Sequence, residues 1–182
     1  MHAEVVVIGT ELLLGQIIDT NSALIARNLA SIGLDLFYKT TVGDNLGRLS
    51  EVLSSALARS DVVITTGGIG PTADDVTREA VALATRCGLV FSPLLMEQIS
   101  SFFRSRGMTP SASNQRQAFI PAGALPIENP VGTAPGFIVE VGEKCVITLP
   151  GVPREMEYLL ANQVLPYLRS RYHLKGQVVI RV

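Results

Sequence analysis

Apolar residues along this chain recur in two alternating rhythms. Val5 to Ile8 is a short β-branched run closed by Gly9, which reads as a strand buried on both faces. Ile25, Leu29 and Ile32 then return at helical spacing, with Thr20 or Asn21 placed to cap the start and Gly33 the end. Leu34 to Val42 reads as a second strand. Leu49, Val52, Leu53, Ala56 and Leu57 form another helical stripe, and "DVVITT" from Asp61 a third strand. The strands are apolar throughout rather than on alternate residues. That pattern predicts an α/β fold of three layers, α/β/α, with a mostly parallel central sheet.

The second half is less regular. Val76, Ala80, Leu83, Ala84 and Cys87 recur at helical intervals up to Gly88, with the helix expected to begin near Asp74. Leu95, Ile99, Phe102 and Phe103 repeat the design up to Gly107. From residue 107 to 136, Pro110, Pro121, Pro126, Pro130 and Pro135 interrupt the pattern, which leaves an irregular segment with a short helical turn near "SNQRQAF". "GFIVEV" and "CVITLP" around Gly142 read as a β-hairpin on the edge of the sheet. A last helix is expected from Pro153, burying Met156, Leu159, Leu160 and Val164, with Pro166 kinking or ending it. "GQVVIRV" has strand character up to the last residue, where the chain is expected to be cut from something longer.

With 182 residues the chain is expected to form one domain. Its formal net charge of −1, with no run of Lys or Arg, lacks the electrostatic footprint of a nucleic-acid binder and favours small-molecule partners. Cys87 and Cys145 have no zinc or redox spacing, and Cys87 falls on the apolar face of its expected helix, so a reducing cytoplasmic compartment is the simplest setting. Glu4, Gly9, Glu11 and Gly15 break the apolar N-terminus, arguing against a signal peptide or membrane span.

The chemistry concentrates in "TTGGIGPTADDVT", after the third strand. In an open α/β sheet ligands bind beyond the carboxyl ends of strands, where Gly67, Gly68 and Gly70 can expose backbone N–H groups to a phosphate. No Lys-Ser or Lys-Thr pair follows the glycines as in a Walker loop. No acidic residue stands about 20 positions on, as a nicotinamide-binding loop requires. Thr72 and Asp75 have the spacing of a capping box, which would make them structural. Asp74 beside Asp75 exceeds what capping needs, and carboxylates next to a phosphate suit a hard divalent cation.

Two further clusters follow strand ends. In "GTELLLGQIIDTN", Glu11 and Asp19 emerge beside the glycine loop if the first and third strands are neighbours, although Asp19 also suits a helix N-terminus. Asp44 in "TVGDN" is similarly placed, or caps the next helix. Asn129 and Thr133 in "NPVGTAPGF" are placed to contact a nucleoside or ribose, and Arg116 is a candidate phosphate clamp. His2 and His173 stand at opposite ends and no G-x-S-x-G elbow exists, so histidine-based zinc or serine-triad chemistry has no footing.

With "GTELLLGQIIDTN", "TTGGIGPTADDVT", "NPVGTAPG" and "LPGVPREM" in this order, the chain resembles the N-terminal domain of the CinA family, within the molybdopterin-binding superfamily of MoaB and MogA. The resemblance spans nearly all of Val5 to Leu168, with Ile69 in place of the usual Leu. It implies a three-layer α/β/α fold, a homodimer, and a metal-dependent ADP-ribose pyrophosphatase giving AMP and ribose 5-phosphate. Magnesium, manganese or cobalt would be the divalent metal, and potassium an assisting ion. Full-length relatives continue into an amidohydrolase domain that is expected to be absent here. Under this reading Gly67, Gly68, Gly70 and Thr72 hold phosphate. Asp75 with Glu11 or Asp44 is catalytic, and Asp75, Asp74 and Glu11 bind metal. Asp19 and Asn21 order the first loop, while Asn129 and Thr133 line the nucleotide side. The alternative is a molybdopterin-binding or molybdenum-cofactor biosynthesis module without hydrolase activity.

Overall fold

Backbone hydrogen bonding in the computed structural model, which describes residues 1–174, follows the alternation read from the sequence; the strand expected at residues 176–182 lies outside the described residues. The elements run β1 (His2–Ile8), α1 (Thr10–Leu13), α2 (Asn21–Ser31), β2 (Asp35–Val42), α3 (Leu46–Arg59), β3 (Val62–Thr66) and α4 (Thr77–Ala84). After these come β4 (Leu89–Phe91), α5 (Pro93–Arg104), a 3-10 helix (Ala112–Ala118), β5 (Phe119–Pro121) and β6 (Leu125–Ile127). β7 (Gly136–Val141), β8 (Lys144–Leu149), α6 (Pro153–Leu159), a π-helical turn (Leu160–Val164) and α7 (Leu165–Tyr172) complete the described chain.

The main sheet has the order β2-β1-β3-β8-β7-β6. β1 pairs in parallel with β2 and β3, and β3 in parallel with β8, whereas β7 runs antiparallel to both β8 and β6. β4 and β5 form a separate antiparallel pair. Alternate residues of the central strands feed two cores. Val5, Val7, Ile64 and Ile147 pack with Ile25, Leu29, Met156 and Leu168 on one face, and Val6, Val63, Val146 and Phe137 with Leu49, Leu53, Val81 and Ile99 on the other. Each strand is thus covered twice, which is why it reads as continuously apolar. The result is a three-layer α/β fold.

Local chemistry fixes the helix starts. The Asn45 side chain accepts from the Arg48 N–H at 3.1 Å to open α3, and Ser92 accepts from the Leu95 N–H at 3.3 Å to open α5, with Pro93 in the first turn. α2 is opened by Asp19, which accepts from the Ser22 N–H at 3.0 Å, rather than by Thr20 or Asn21.

Four sequence expectations shift. The hairpin of β7 and β8 is not at the edge: β8 is locked against β3, and β6, whose three residues include Pro126, takes the edge where proline costs no ladder bond. α4 begins at Thr77 rather than near Asp74, because residues 67–76 are held as a loop by bonds described below. Cys87 lies beyond α4, since Arg86 adopts a left-handed φ of 57° and turns the chain out of the helix. Of the two outcomes expected at Pro166, an end to the helix is not seen: the π-helical turn widens the ladder up to Val164, two residues before the proline that has no N–H to donate.

Phe137 is wholly buried in the second core, opposite Thr148 on β8. Replacing it by Ala is expected to cost about 3–5 kcal/mol through lost contact and a residual cavity, read as a shift in the urea midpoint at constant slope. A loss below about 1 kcal/mol would show that the layer is not close-packed there.

Candidate functional site

The carboxyl ends of β1, β3 and β8 meet at one crossing. Gly67 has φ 106°, and a side chain there would come within 2.2 Å of the Ile8 carbonyl oxygen; one on Gly151 would lie 3.2 Å from the Gly67 Cα. Only glycine allows that backbone and that approach. Asn21 fastens the crossing, its Nδ2 donating to Thr66 Oγ1 at 3.0 Å and to the Gly151 carbonyl at 2.9 Å, while Thr66 Oγ1 donates to the Pro150 carbonyl at 2.8 Å.

The glycine loop after β3 is shaped from behind. The Gly67 carbonyl accepts from Thr77 Oγ1 at 2.9 Å, the Gly68 carbonyl from the Thr77 N–H at 3.1 Å, the Ile69 carbonyl from Arg78 Nη1 at 2.5 Å and the Gly70 carbonyl from Arg78 Nη2 at 2.7 Å. Every peptide bond is trans, so a planar group whose carbonyl faces Thr77 or Arg78 turns its N–H the other way. The N–H groups of Gly68, Ile69 and Gly70 therefore leave on the opposite side, where these residues line an open cleft of about 490 Å³. Among the described residues none of the three donates a hydrogen bond. Such a row is an anion-binding concavity, and the buried Arg78 adds a positive charge beneath it. Desolvation pulls the Arg78 pKa below its ordinary value, an effect opposed by the charges of Glu79 and Asp75.

Most sequence-predicted residues gather here. Gly67, Gly68, Gly70, Thr72 and Thr133 line the cleft, as do the carboxylates of Glu11, Asp44, Asp74 and Asp75. Their own bonds reassign several roles. Asp75 Oδ2 accepts from the Thr72 N–H at 2.8 Å and Thr72 Oγ1 at 2.5 Å, closing the loop on itself two residues before α4. Asp44 Oδ2 accepts from Thr10 N at 2.8 Å and Thr10 Oγ1 at 2.9 Å, which ties the loop after β2 to the loop after β1; Asn45, not Asp44, caps α3. The Glu11 carboxylate folds back over Gly9.

Four predicted residues stand outside the main cleft. Asp19 and Asn21 line a smaller adjoining cavity of about 120 Å³. Burial alone would raise the Asp19 pKa, but Lys39 at 2.6 Å and the Ser22 hydroxyl and N–H hold it below the usual value. Asn129 is wholly buried; its Nδ2 donates to the Ala134 carbonyl at 2.9 Å and to Glu155 Oε2 at 2.6 Å, so it shapes the loop after β6. Arg116 pairs with Glu79 at 3.2 Å and is not a wall of the cleft. Motif spacing assigned no role to Thr77, Arg78 or Gln117, because what each does depends on the direction of its hydrogen bonds, which residue type and spacing do not display.

Among the described residues no group of three or more His, Cys, Asp and Glu side chains is arranged to hold a metal ion. The carboxylates expected to bind one, Asp75, Asp74 and Glu11, do not converge, and Asp75 is engaged by Thr72. As folded, this donor set does not fit a resident metal.

Two outcomes follow from this geometry. Arg78→Met leaves the Ile69 and Gly70 carbonyls without their donors and is expected to destabilise the protein by about 2–4 kcal/mol in urea unfolding. Burial raises the Glu155 pKa above its ordinary value of 4.5, with Asn129 opposing the shift. The charged form is thus disfavoured in the fold, so the contribution of this group is present below pH 4.5 and is lost as pH rises through the raised value. Glu155→Gln is expected to remove that part of the pH dependence and to be no less stable than the parent at pH about 7, as urea midpoints across the range would read.

A family described as "Probable molybdopterin binding domain" matches residues 4–170. A competence-damage inducible protein of Halothermothrix orenii is 49% identical over 174 residues, 96% of this chain and 42% of that protein, and one of Caldicellulosiruptor saccharolyticus is 47% identical over 170 residues, 93% and 41%. The chain spans about two fifths of the length of these relatives. Among solved structures, the protein CinA of Thermoplasma acidophilum superposes with a TM-score of 0.83 at 38% identity, covering 88% of this chain and 95% of its own. The molybdopterin biosynthesis enzyme MoaB of Thermus thermophilus superposes at 0.61 and 21% identity, covering 97% and 99%, a likeness of fold alone. The expected ADP-ribose pyrophosphatase is overturned by this family match, whose description is molybdopterin binding over residues 4–170. The chain is a member of the molybdopterin-binding domain family, in its CinA branch.

Proposed function

We propose that this domain binds molybdopterin, a pterin bearing one phosphate, and acts as a binding module rather than as a hydrolase. The observation that carries the reading is the row of three unengaged N–H groups at Gly68, Ile69 and Gly70, which receives a phosphate without any lysine. The match to a molybdopterin-binding domain over residues 4–170 supports the choice of ligand. A cleft of about 490 Å³ has room for a pterin beside the phosphate.

The carboxylates contribute shape and charge balance. Asp44 and Asp75 hold the two loops that form the walls, and Thr133 offers a hydroxyl to the ligand, whereas the Thr72 hydroxyl proton is given to Asp75. With Glu11, Asp74 and Glu155 also facing the cleft, a dianionic phosphate would meet net repulsion at the rim. In this reading a divalent cation such as magnesium, manganese or cobalt accompanies the ligand as its counter-ion, with potassium as a weaker substitute.

Anaerobic titration with molybdopterin is expected to give one site per chain with a dissociation constant on the order of 1 µM, weakened by excess inorganic phosphate. An absence of saturation up to about 1 mM ligand, or AMP release from ADP-ribose above the uncatalysed rate, would overturn the reading.

A further inference from the structure

Gln117 is only 1% exposed, yet it forms part of the wall of the main cleft and its Nε2 has no hydrogen-bond partner among the described residues. The orientation of its amide follows from a chain of unambiguous donors. Asn114 Oδ1 accepts from the Ser111 backbone N–H at 2.8 Å, and an N–H can only donate, so the oxygen of Asn114 is the atom on that side. The Asn114 Nδ2 must then donate to Gln117, at 2.9 Å, which makes the contacting atom of Gln117 its Oε1. The remaining group is an NH₂ with two donors to give.

Buried donors are nearly always satisfied, and one left open at the wall of a ligand site calls for an acceptor on the ligand. The placement of the 3-10 helix says which acceptor. Arg116, the preceding residue, is paired with Glu79, and Glu79 follows Arg78, whose guanidinium holds the carbonyls of Ile69 and Gly70. Gln117 is therefore carried on a segment clamped to the start of α4, directly beside the glycine loop. We infer that Gln117 is a ligand-binding residue whose side-chain NH₂ donates to the phosphate oxygen of the bound ligand, adding a side-chain donor to the three backbone N–H groups of the loop. This assignment rests on the proposed phosphate site.

The polar pattern also explains why the position takes an amide. A glutamate would accept the Asn114 bond equally well but would turn a second acceptor, charged or protonated, toward the anion. A lysine or arginine would have no acceptor for Asn114. Glutamine alone among the common side chains of this length answers both neighbours.

The test compares the parent with Gln117→Met, close in size and without the donor, and Gln117→Glu, which keeps the acceptor for Asn114. Each is titrated with inorganic phosphate, with molybdopterin and with enzymatically dephosphorylated molybdopterin, and melting temperatures are recorded in parallel. The expected result is a loss of about tenfold for both phosphate-bearing probes in Gln117→Met, a larger loss in Gln117→Glu, and no change for the dephosphorylated probe in either. Unchanged phosphate affinity in both variants, with the parent binding, overturns the assignment. So does a loss seen equally with the dephosphorylated probe, which would move the donor to the pterin. Failure of the parent to bind any of the three probes would instead sink the binding site itself. Gln117→Met holds the question open to refutation should the buried charge of Gln117→Glu prevent folding.

Discussion

The direction of four peptide groups governs this molecule. A phosphate-binding loop made of backbone N–H groups works only if the carbonyls are kept away from the anion, and a flexible run of glycines does nothing to ensure this by itself. Here Thr77 and Arg78 draw the carbonyls of residues 67–70 to one side, and planarity sends the amides to the other. The guanidinium is buried to do so, with no ion pair to a carboxylate among the described residues. Its desolvation is offset by two short bonds to carbonyls and by nearby acidic charge.

The same crossing explains why the fold places a site at this end of the sheet. β1, β3 and β8 run parallel, so their carboxyl ends open at one pole, and the Ile8, Gly67 and Gly151 backbones come together where any side chain would collide. Asn21 then joins β3 to the loop after β8 through one amide group. A ligand held by the glycine loop consequently touches segments from three distant parts of the chain, and the packing of the two cores on either face fixes their relative position.

The motif carboxylates illustrate how sequence position and chemical role come apart. Asp44 and Asp75 stand where a metal ligand or base would stand, yet each spends an oxygen on a neighbouring threonine, and Asp19 spends both on Ser22 and Lys39. Loops that carry several carboxylates can use them as internal braces, because a carboxylate accepts two or more bonds and satisfies N–H groups that a turn leaves open. This is the physical reason that carboxylates standing where a metal ligand would stand are already engaged by their own loops.

Much of the architecture was fixed by the chain's own periodicity. Runs such as Val62 to Ile64 and stripes such as Leu49, Leu53 and Ala56 determined parallel strands under two helical layers, since burial on both faces leaves no other pattern for a strand. The glycines at 67, 68 and 70 marked the ligand-facing loop for a local reason, backbone freedom and absent side chains, which a sequence displays directly. β6 was hidden by its brevity and Pro126, and the start of α4 by bonds from Thr77 to a loop nine and ten residues away. Arg78 and Gln117 carry no mark at all in the sequence. One becomes meaningful only when its fork reaches two carbonyls, the other only when Asn114 fixes which way its amide points. The directions of these hydrogen bonds are decided by how the loop and the 3-10 helix fold against their neighbours, and residue spacing alone does not encode them.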